Sequence, residues 1–280
     1  MGGIIWLASY PKSGNTWLRT FLHNLLLNTD QPANLNELTK LTIGDGNKFW
    51  YEKFSGKPFD SLSEEEVAAL IPRIHKAYSQ TRSDSVFVKT HSGLGSYFDV
   101  PLITPEYTAG AIYIVRNPLD VVISLSDHYG MSIDMGIEML ANPQGHSAAT
   151  DRKVVDHLGS WSAHVDSWMV MKKPFLHVMR YEDMLYKPEK TFGAVAKFLG
   201  IKPPKERLRK AIKFSSFAAS RKQEEEKGFI EQSDKAERFF RVGKAGQWKT
   251  ALTPSQVEQI VEVHYDVMEK FKYIPPNLKK

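Results

Sequence analysis

The sequence predicts an α/β protein of three layers, a central parallel sheet flanked by helices, arranged to hold a mononucleotide. Three observations predict it. Short apolar runs recur at residues 4–9, 85–88, 109–115 and 174–179, near-continuous rather than alternating, as strands buried on both faces must be. Stretches with helical spacing separate them. Cations also stand just past three of these runs, at Lys12, Lys89 and Arg116. In open parallel sheets, ligands bind beyond the carboxyl ends of strands.

The first strand breaks at Tyr10-Pro11 and enters Lys12-Ser13-Gly14-Asn15-Thr16. Helical spacing then begins with Trp17, Leu18, Phe21, Leu22 and Leu25. A helix that starts on such a loop presents unpaired amides and a partial positive charge to it, which suits an anion. Lys12, Ser13 and Thr16 add one cation and two hydroxyls. The loop is P-loop-like, but it is not a nucleotide triphosphatase signature: Lys12 precedes the only loop glycine, whereas Gly-x-x-x-x-Gly-Lys-Ser/Thr places its lysine after the second.

Residues 30–60 are punctuated by Pro32, Gly44, Gly46, Gly56 and Pro58 and read as loops. Their aromatic cluster, Phe49, Trp50, Tyr51, Phe54 and Phe59, fits either a pocket wall or a satellite core. Ser63-Glu64-Glu65-Glu66 opens a helix through a capping box, and that helix runs to about Tyr78. Next comes Val86-Phe87-Val88-Lys89-Thr90-His91, a strand with a lysine and a histidine at its edge. The strand at 109–115 ends in Arg116, and Asn117-Pro118 starts a helix carrying Ser124. Residues 130–150, with three methionines, read as an irregular insertion or lid. Residues 151–172 read as one long amphipathic helix with Val154, Leu158, Trp161, Val165 and Trp168 inward. After the strand at 174–179, Glu182 and Asp183 read as helix-capping acids rather than a catalytic pair. Helices follow at 188–200, 206–214 and 255–271. The charge-rich stretch at 220–238 reads as a solvated loop or as a segment that orders over a nucleotide. Gly243 and Gly246, flanked by Arg241, Lys244 and Lys249, make a turn able to cradle an anion.

Tyr-Pro-Lys-Ser-Gly-Asn-Thr-Trp at 10–17 resembles the phosphate loop of sulfotransferases that use 3′-phosphoadenosine 5′-phosphosulfate (PAPS), with Asn15 where that family usually has Thr. Lys89-Thr90-His91 is similar to the family's segment holding the catalytic base. Arg116 with Ser124 eight residues on resembles its 3′-phosphate motif. Residues 241–249 resemble its Arg-Lys-Gly-x-x-Gly-Asp-Trp-Lys segment, with Val242 and Gln247 as departures. The resemblance implies one sulfotransferase domain over 1–280, with variable acceptor-pocket or lid segments near 30–60, 130–150 and 220–240. It implies that His91 is the general base and that Lys12 and Lys89 stabilise charge during in-line sulfuryl transfer from PAPS to a small-molecule hydroxyl. Adenosine 3′,5′-bisphosphate (PAP) would be released. Lys12, Ser13, Gly14, Asn15, Thr16, Trp17, Arg116, Ser124, Tyr181, Phe217, Arg241, Gly243 and Lys244 would hold the nucleotide. Lys249, Thr253 and Glu258 resemble a dimerisation segment, with Pro254 replacing Val; an N-cap followed by Pro explains the same residues.

Composition sets the remaining bounds. The chain has 280 residues, 42% of them hydrophobic, with net charge +5 and no cysteine. Disulfides and thiolate metal sites are excluded. The basic residues are scattered, so nucleic acid is not an expected partner. No apolar run approaches the roughly 20 residues of a membrane span, and the chain opens on a core strand, so a cytoplasmic enzyme with no membrane and no metal is the expectation. Two other readings stay open, a P-loop small-molecule kinase and a non-catalytic nucleotide- or polyanion-binding module.

Overall fold

The computed structural model describes residues 2–280. The strands are β1 (Ile4–Ser9), β2 (Thr42–Gly44), β3 (Val86–Thr90), β4 (Ser96–Tyr97), β5 (Val100–Pro101), β6 (Thr108–Val115) and β7 (Leu176–Arg180). The α-helices are α1 (Asn15–Leu27), α2 (Lys48–Ser55), α3 (Glu64–Ser79), α4 (Pro118–Tyr129), α5 (Ile133–Ala141), α6 (Trp161–Met169), α7 (Tyr181–Tyr186), α8 (Pro188–Phe198), α9 (Lys205–Phe214), α10 (Phe217–Lys227), α11 (Trp248–Ala251) and α12 (Pro254–Lys270). Five strands form one parallel sheet in the order β2-β3-β1-β6-β7. β4 and β5 pair as a small antiparallel ribbon. After β1 the chain builds β2 and β3 on one side, then crosses to β6 and β7 on the other. The connections therefore diverge at the carboxyl end of β1 and open a crevice there.

Both faces of the sheet are covered, which is why its strands read as unbroken apolar runs. Ile4, Trp6 and Ala8 of β1, with Ala111, Tyr113 and Val115 of β6, enter one apolar cluster; Leu7, Ile112 and Ile114 enter the opposite one. Ile74 of α3, Leu119 of α4, Trp161 of α6 and Ile260 of α12 close the first face. Leu18 and Phe21 of α1, Phe192 of α8 and Ala211 of α9 close the second. The caps follow the sequence: Ser63 and Glu66 form a capping box, Asn117 accepts from the Leu119 amide, and Thr253 with Gln256 forms a second box ahead of Pro254. Among the described residues no helix is long and apolar enough to cross a membrane.

Four segments differ from the sequence expectation. Within 30–60, residues expected to be loop form β2 and α2, and α2 runs from an Asn47 cap to Gly56 in a left-handed conformation. Consecutive aromatics mask helical periodicity there; Tyr51 joins the core while Phe49 stays exposed. Within 130–150, Ser132 caps α5, and Gly136 lets α5 lie close to α4, since a Cβ there would fall 2.4 Å from Ser126 Oγ. Within 151–172, the helix begins only at Trp161, because Gly159 takes φ 65° and Ser160 caps the helix after it. Val154 and Leu158 reach the core from a loop instead. The charged stretch at 220–238 begins as helix: α10 extends to Lys227.

Candidate active site

The β1–α1 loop is shaped by two left-handed residues, Lys12 at φ 64° and Gly14 at φ 106°. Only glycine fits the second, since a Cβ would lie 2.8 Å from the Tyr181 ring. Gly14 caps α1 without a side chain, so the first amides of the helix face the loop with no protein acceptor from the cap. Ser13 Oγ and Arg116 Nε are buried without a hydrogen-bond partner among the described residues. Buried polar groups in that condition fit an anion, whose oxygens would satisfy them. Asn15 behaves differently from the other loop residues. Its side-chain nitrogen turns back to donate to Leu7 O at 2.8 Å and Ser9 Oγ at 3.3 Å, bracing the end of β1, while its Oδ1 is buried without a partner among the described residues. Thr16 is buried beside it, and Trp17 packs edge-on against Tyr181 with ring centroids 5.8 Å apart. Lys12 Nζ stands 4.1 Å from the centre of the Phe239 ring. Burial and repulsion from Arg116 bring its pKa down to about 8.

A second cationic region adjoins this loop. Arg116 is 5% exposed, donates to Lys12 O at 2.7 Å and lies 4.3 Å over the Tyr181 ring. It makes no ion pair with Asp120. Asp120 instead accepts from the amides of Gly246 and Trp248 at 2.6 and 3.1 Å, which fastens the glycine turn to α4. Ser124 lies half-buried one turn further along α4. Gly243 takes φ 65° with its Cα against the Phe217 ring, where a Cβ would come within 2.2 Å. Arg241 is exposed; it pairs with Asp127 at 3.6 Å and donates to Gln247 Oε1 at 3.2 Å, and Lys244 is exposed as well. Glu182 accepts from the Asn117 amide at 3.0 Å and from Tyr273 Oη at 2.7 Å, so it braces the residue next to Arg116.

Lys89 and His91 stand at the end of β3, facing the loop. His91 Nδ1 is 2.7 Å from Ser9 O. A carbonyl only accepts, so the ring proton sits on Nδ1 and the Nε2 lone pair is free. Burial, then the charge of Lys89, hold the His91 pKa down at about 3. A relay fixes the backbone there: Tyr113 Oη donates to His164 Nδ1 at 2.8 Å, and His164 Nε2 donates to His91 O at 2.9 Å. Ser92, the residue after His91, lines a cavity of about 580 Å³ together with Asp156 and His157, with an apolar wall that includes Tyr51, Phe59 and Val154. The aromatic cluster at 49–59 therefore serves both core and cavity. Asp156, itself buried, has its pKa held down by Lys153 and His91 against the effect of burial.

Several residues at the site escaped the sequence reading. Asp156 lies in a recognised segment with no role of its own there, and Asp120 belongs to the motif that starts at Arg116, where the sequence offers it only as an ion-pair partner of that arginine. Arg19, Glu224 and Glu231 carried no signal at all. Arg19 lies on the buried stripe of α1, and the two acids sit in a stretch whose charges are otherwise solvated.

A family model described as "Sulfotransferase domain" matches residues 4–272. Rat sulfotransferase 1A1 is 26% identical over 92% of this chain and 82% of its own length. Mouse sulfotransferase 2A2 is 28% identical over 97% of this chain and 85% of its own. Among solved structures, mouse sulfotransferase SULT7A1 complexed with PAP has a TM-score of 0.61 at 20% identity, covering 95% of this chain and 84% of that one. Retinol dehydratase in complex with androsterone and inactive cofactor PAP has a TM-score of 0.65 at 20% identity, covering 98% and 83%. These two likenesses concern the fold.

Proposed function

The chain belongs to the sulfotransferase domain family, and from that premise we propose that it transfers a sulfuryl group from PAPS to the hydroxyl of a small acceptor, releasing PAP. His91 carries this reading: an imidazole with its proton fixed on Nδ1 and its Nε2 free stands beside a cavity and next to an uncapped helix end. The site fits the nucleotide, because Ser13 Oγ and Arg116 Nε are buried donors in need of acceptors. PAPS supplies an activated sulfuryl group on a good leaving group. The α1 amides with Ser13 and Thr16 hold the 5′-phosphate. Arg116, Ser124 and the turn at Arg241, Gly243 and Lys244 hold the 3′-phosphate, while Trp17, Tyr181 and Phe217 surround the adenine. His91 Nε2 takes the acceptor proton. Lys12 and Lys89 supply fixed positive charge where negative charge grows on oxygen, so the rate comes from positioning and electrostatics. The cavity suits an acceptor with an apolar body and its hydroxyl toward Ser92 and His91. We read the chain as one domain acting in the cytoplasm, with 249–258 as a pairing surface between two copies.

The test is a thermal-shift titration with PAP, ATP plus Mg²⁺, and 5′-AMP, followed by transfer from PAPS. PAP at 100 times its Kd stabilises by about 2.7 kcal/mol, a rise of several degrees in Tm. A shift confined to ATP with Mg²⁺ overturns the reading in favour of a kinase.

A further inference from the structure

One carboxylate outside the residues assigned above reaches into the site. Glu231, just beyond α10, accepts from Arg19 Nη1 at 2.8 and 3.0 Å and from Lys89 Nζ at 3.2 Å. Arg19 is 2% exposed and takes part in no other ion pair among the described residues. The segment that carries Glu231 is firmly seated. Glu224 of α10 accepts from the amides of Phe239 and Phe240 at 2.6 and 3.0 Å. Phe229 and Phe240 are buried with Leu35 and Leu38 in an apolar cluster of their own. Phe239 lies under Lys12. Both lysines assigned to the transfer are thus touched by residues 231–239.

We propose that Glu231, anchored by Arg19, is the positioning residue of Lys89. It holds the ammonium charged and aimed at the sulfuryl oxygens, so that turnover depends on the 231–239 segment being seated. The proposal rests on the assignment of Lys89 to transfer. Its physical reason is the conflict at Lys89. Burial removes water from the ammonium, and Arg19 on α1 and Lys153 in the loop before α6 repel it. Lys12 and His128 feel the charge of Lys89 from the phosphate loop and from α4, and His91 feels it from the end of β3. Glu231 and Asp156 oppose this, and of the two only Glu231 touches Nζ. Arg19 Nη1 in turn fixes the carboxylate by lying within hydrogen-bond distance of both of its oxygens.

The experiment titrates the Lys89 side chain by NMR of ¹³C-dimethylated protein, with Lys89→Arg identifying the signal. Loss of the Glu231 charge lowers the Lys89 pKa, so Glu231→Gln should move its titration about one unit toward lower pH, equivalent to about tenfold in the charged-to-neutral ratio. Glu231→Asp should restore most of the shift. Because Glu231→Gln strands the buried Arg19 charge and can unfold the chain, Arg19→Met with Glu231→Gln removes both charges together; since Arg19 itself repels Lys89, this variant is compared with Arg19→Met alone, and its Lys89 titration should lie about one unit lower than in that single variant. Single-turnover transfer from PAPS to benzyl alcohol is followed on the same proteins. The alkaline limb should fall at lower pH in each Gln variant than in the protein it is derived from, with PAP affinity held. A Lys89 titration that is the same in Arg19→Met and in the folded double variant overturns the proposal and leaves Glu231 as the counter-ion of Arg19. Full transfer by Lys89→Ala overturns the assignment of Lys89 itself, and the proposal with it.

Discussion

At the scale of single residues, the catalytic case turns on which nitrogen of His91 is free. Ser9 O claims the Nδ1 proton, and the pKa is held at about 3, so Nε2 stays unprotonated at every pH above that value. The rate of transfer should therefore show no acid limb near pH 6.5, the ordinary histidine value. An acid midpoint at 6.5 in single-turnover rates would contradict the geometry. His91→Ala should lower kcat/KM by about 10²–10⁴, the usual worth of a general base, while PAP affinity by calorimetry stays as in the parent. Asn15 shows how far residue-type reasoning reached. Its place in the loop motif pointed to an anion donor, yet its side-chain nitrogen is spent bracing β1.

At the scale of elements, the glycine turn and α10 form one assembly with the phosphate loop. Gly243→Ala puts a side chain into the Phe217 ring at a left-handed position, which should cost about 1–3 kcal/mol of backbone strain and weaken PAP binding in a titration. The β1 loop, the Lys89-Thr90-His91 edge and the Arg116–Ser124 spacing were legible because each sits at the end of a buried apolar strand. There, periodicity fixes the element, and the element fixes where the side chain lies. α2, α5 and α10 were not legible. α2 hides its period in consecutive aromatics, and α5 depends on a glycine contact with α4. α10 takes its buried positions from tertiary partners: the Glu224 carboxylate is capped by the amides of Phe239 and Phe240, which return over it. A charge run carries no mark of which of its acids will be captured. The break at Gly159 was visible as a glycine, but its left-handed φ depends on the packing of the loop before it.

At the scale of the whole molecule, acid acts in one direction. His91, His164, His128 and His264 are each held neutral by burial, at about 3 to 4, whereas the unfolded chain protonates near 6.5. The unfolded state then binds more protons below that pH, so stability is full above about 6.5 and is lost as pH falls toward 4. Glu231, held well below the usual carboxylate range by Lys89 and Arg19 despite its burial, adds a loss in the same direction at still lower pH. Urea midpoints should fall between pH 7 and pH 5, on the order of 1 kcal/mol per pH unit for each histidine kept neutral. A midpoint independent of pH across that range would show that these rings protonate in place.

The hydrogen bond from Tyr273 to Glu182 ties the far end of the chain to the residue beside Arg116. During synthesis the amino-terminal strand emerges first and domains fold as their parts become available. β1 and its phosphate loop are made long before Tyr273, whose arrival completes the brace on Asn117. Until Tyr273 has been made and has docked on Glu182, a nascent chain thus carries the loop without the finished clamp, and firm nucleotide capture waits for the chain to extend through Tyr273.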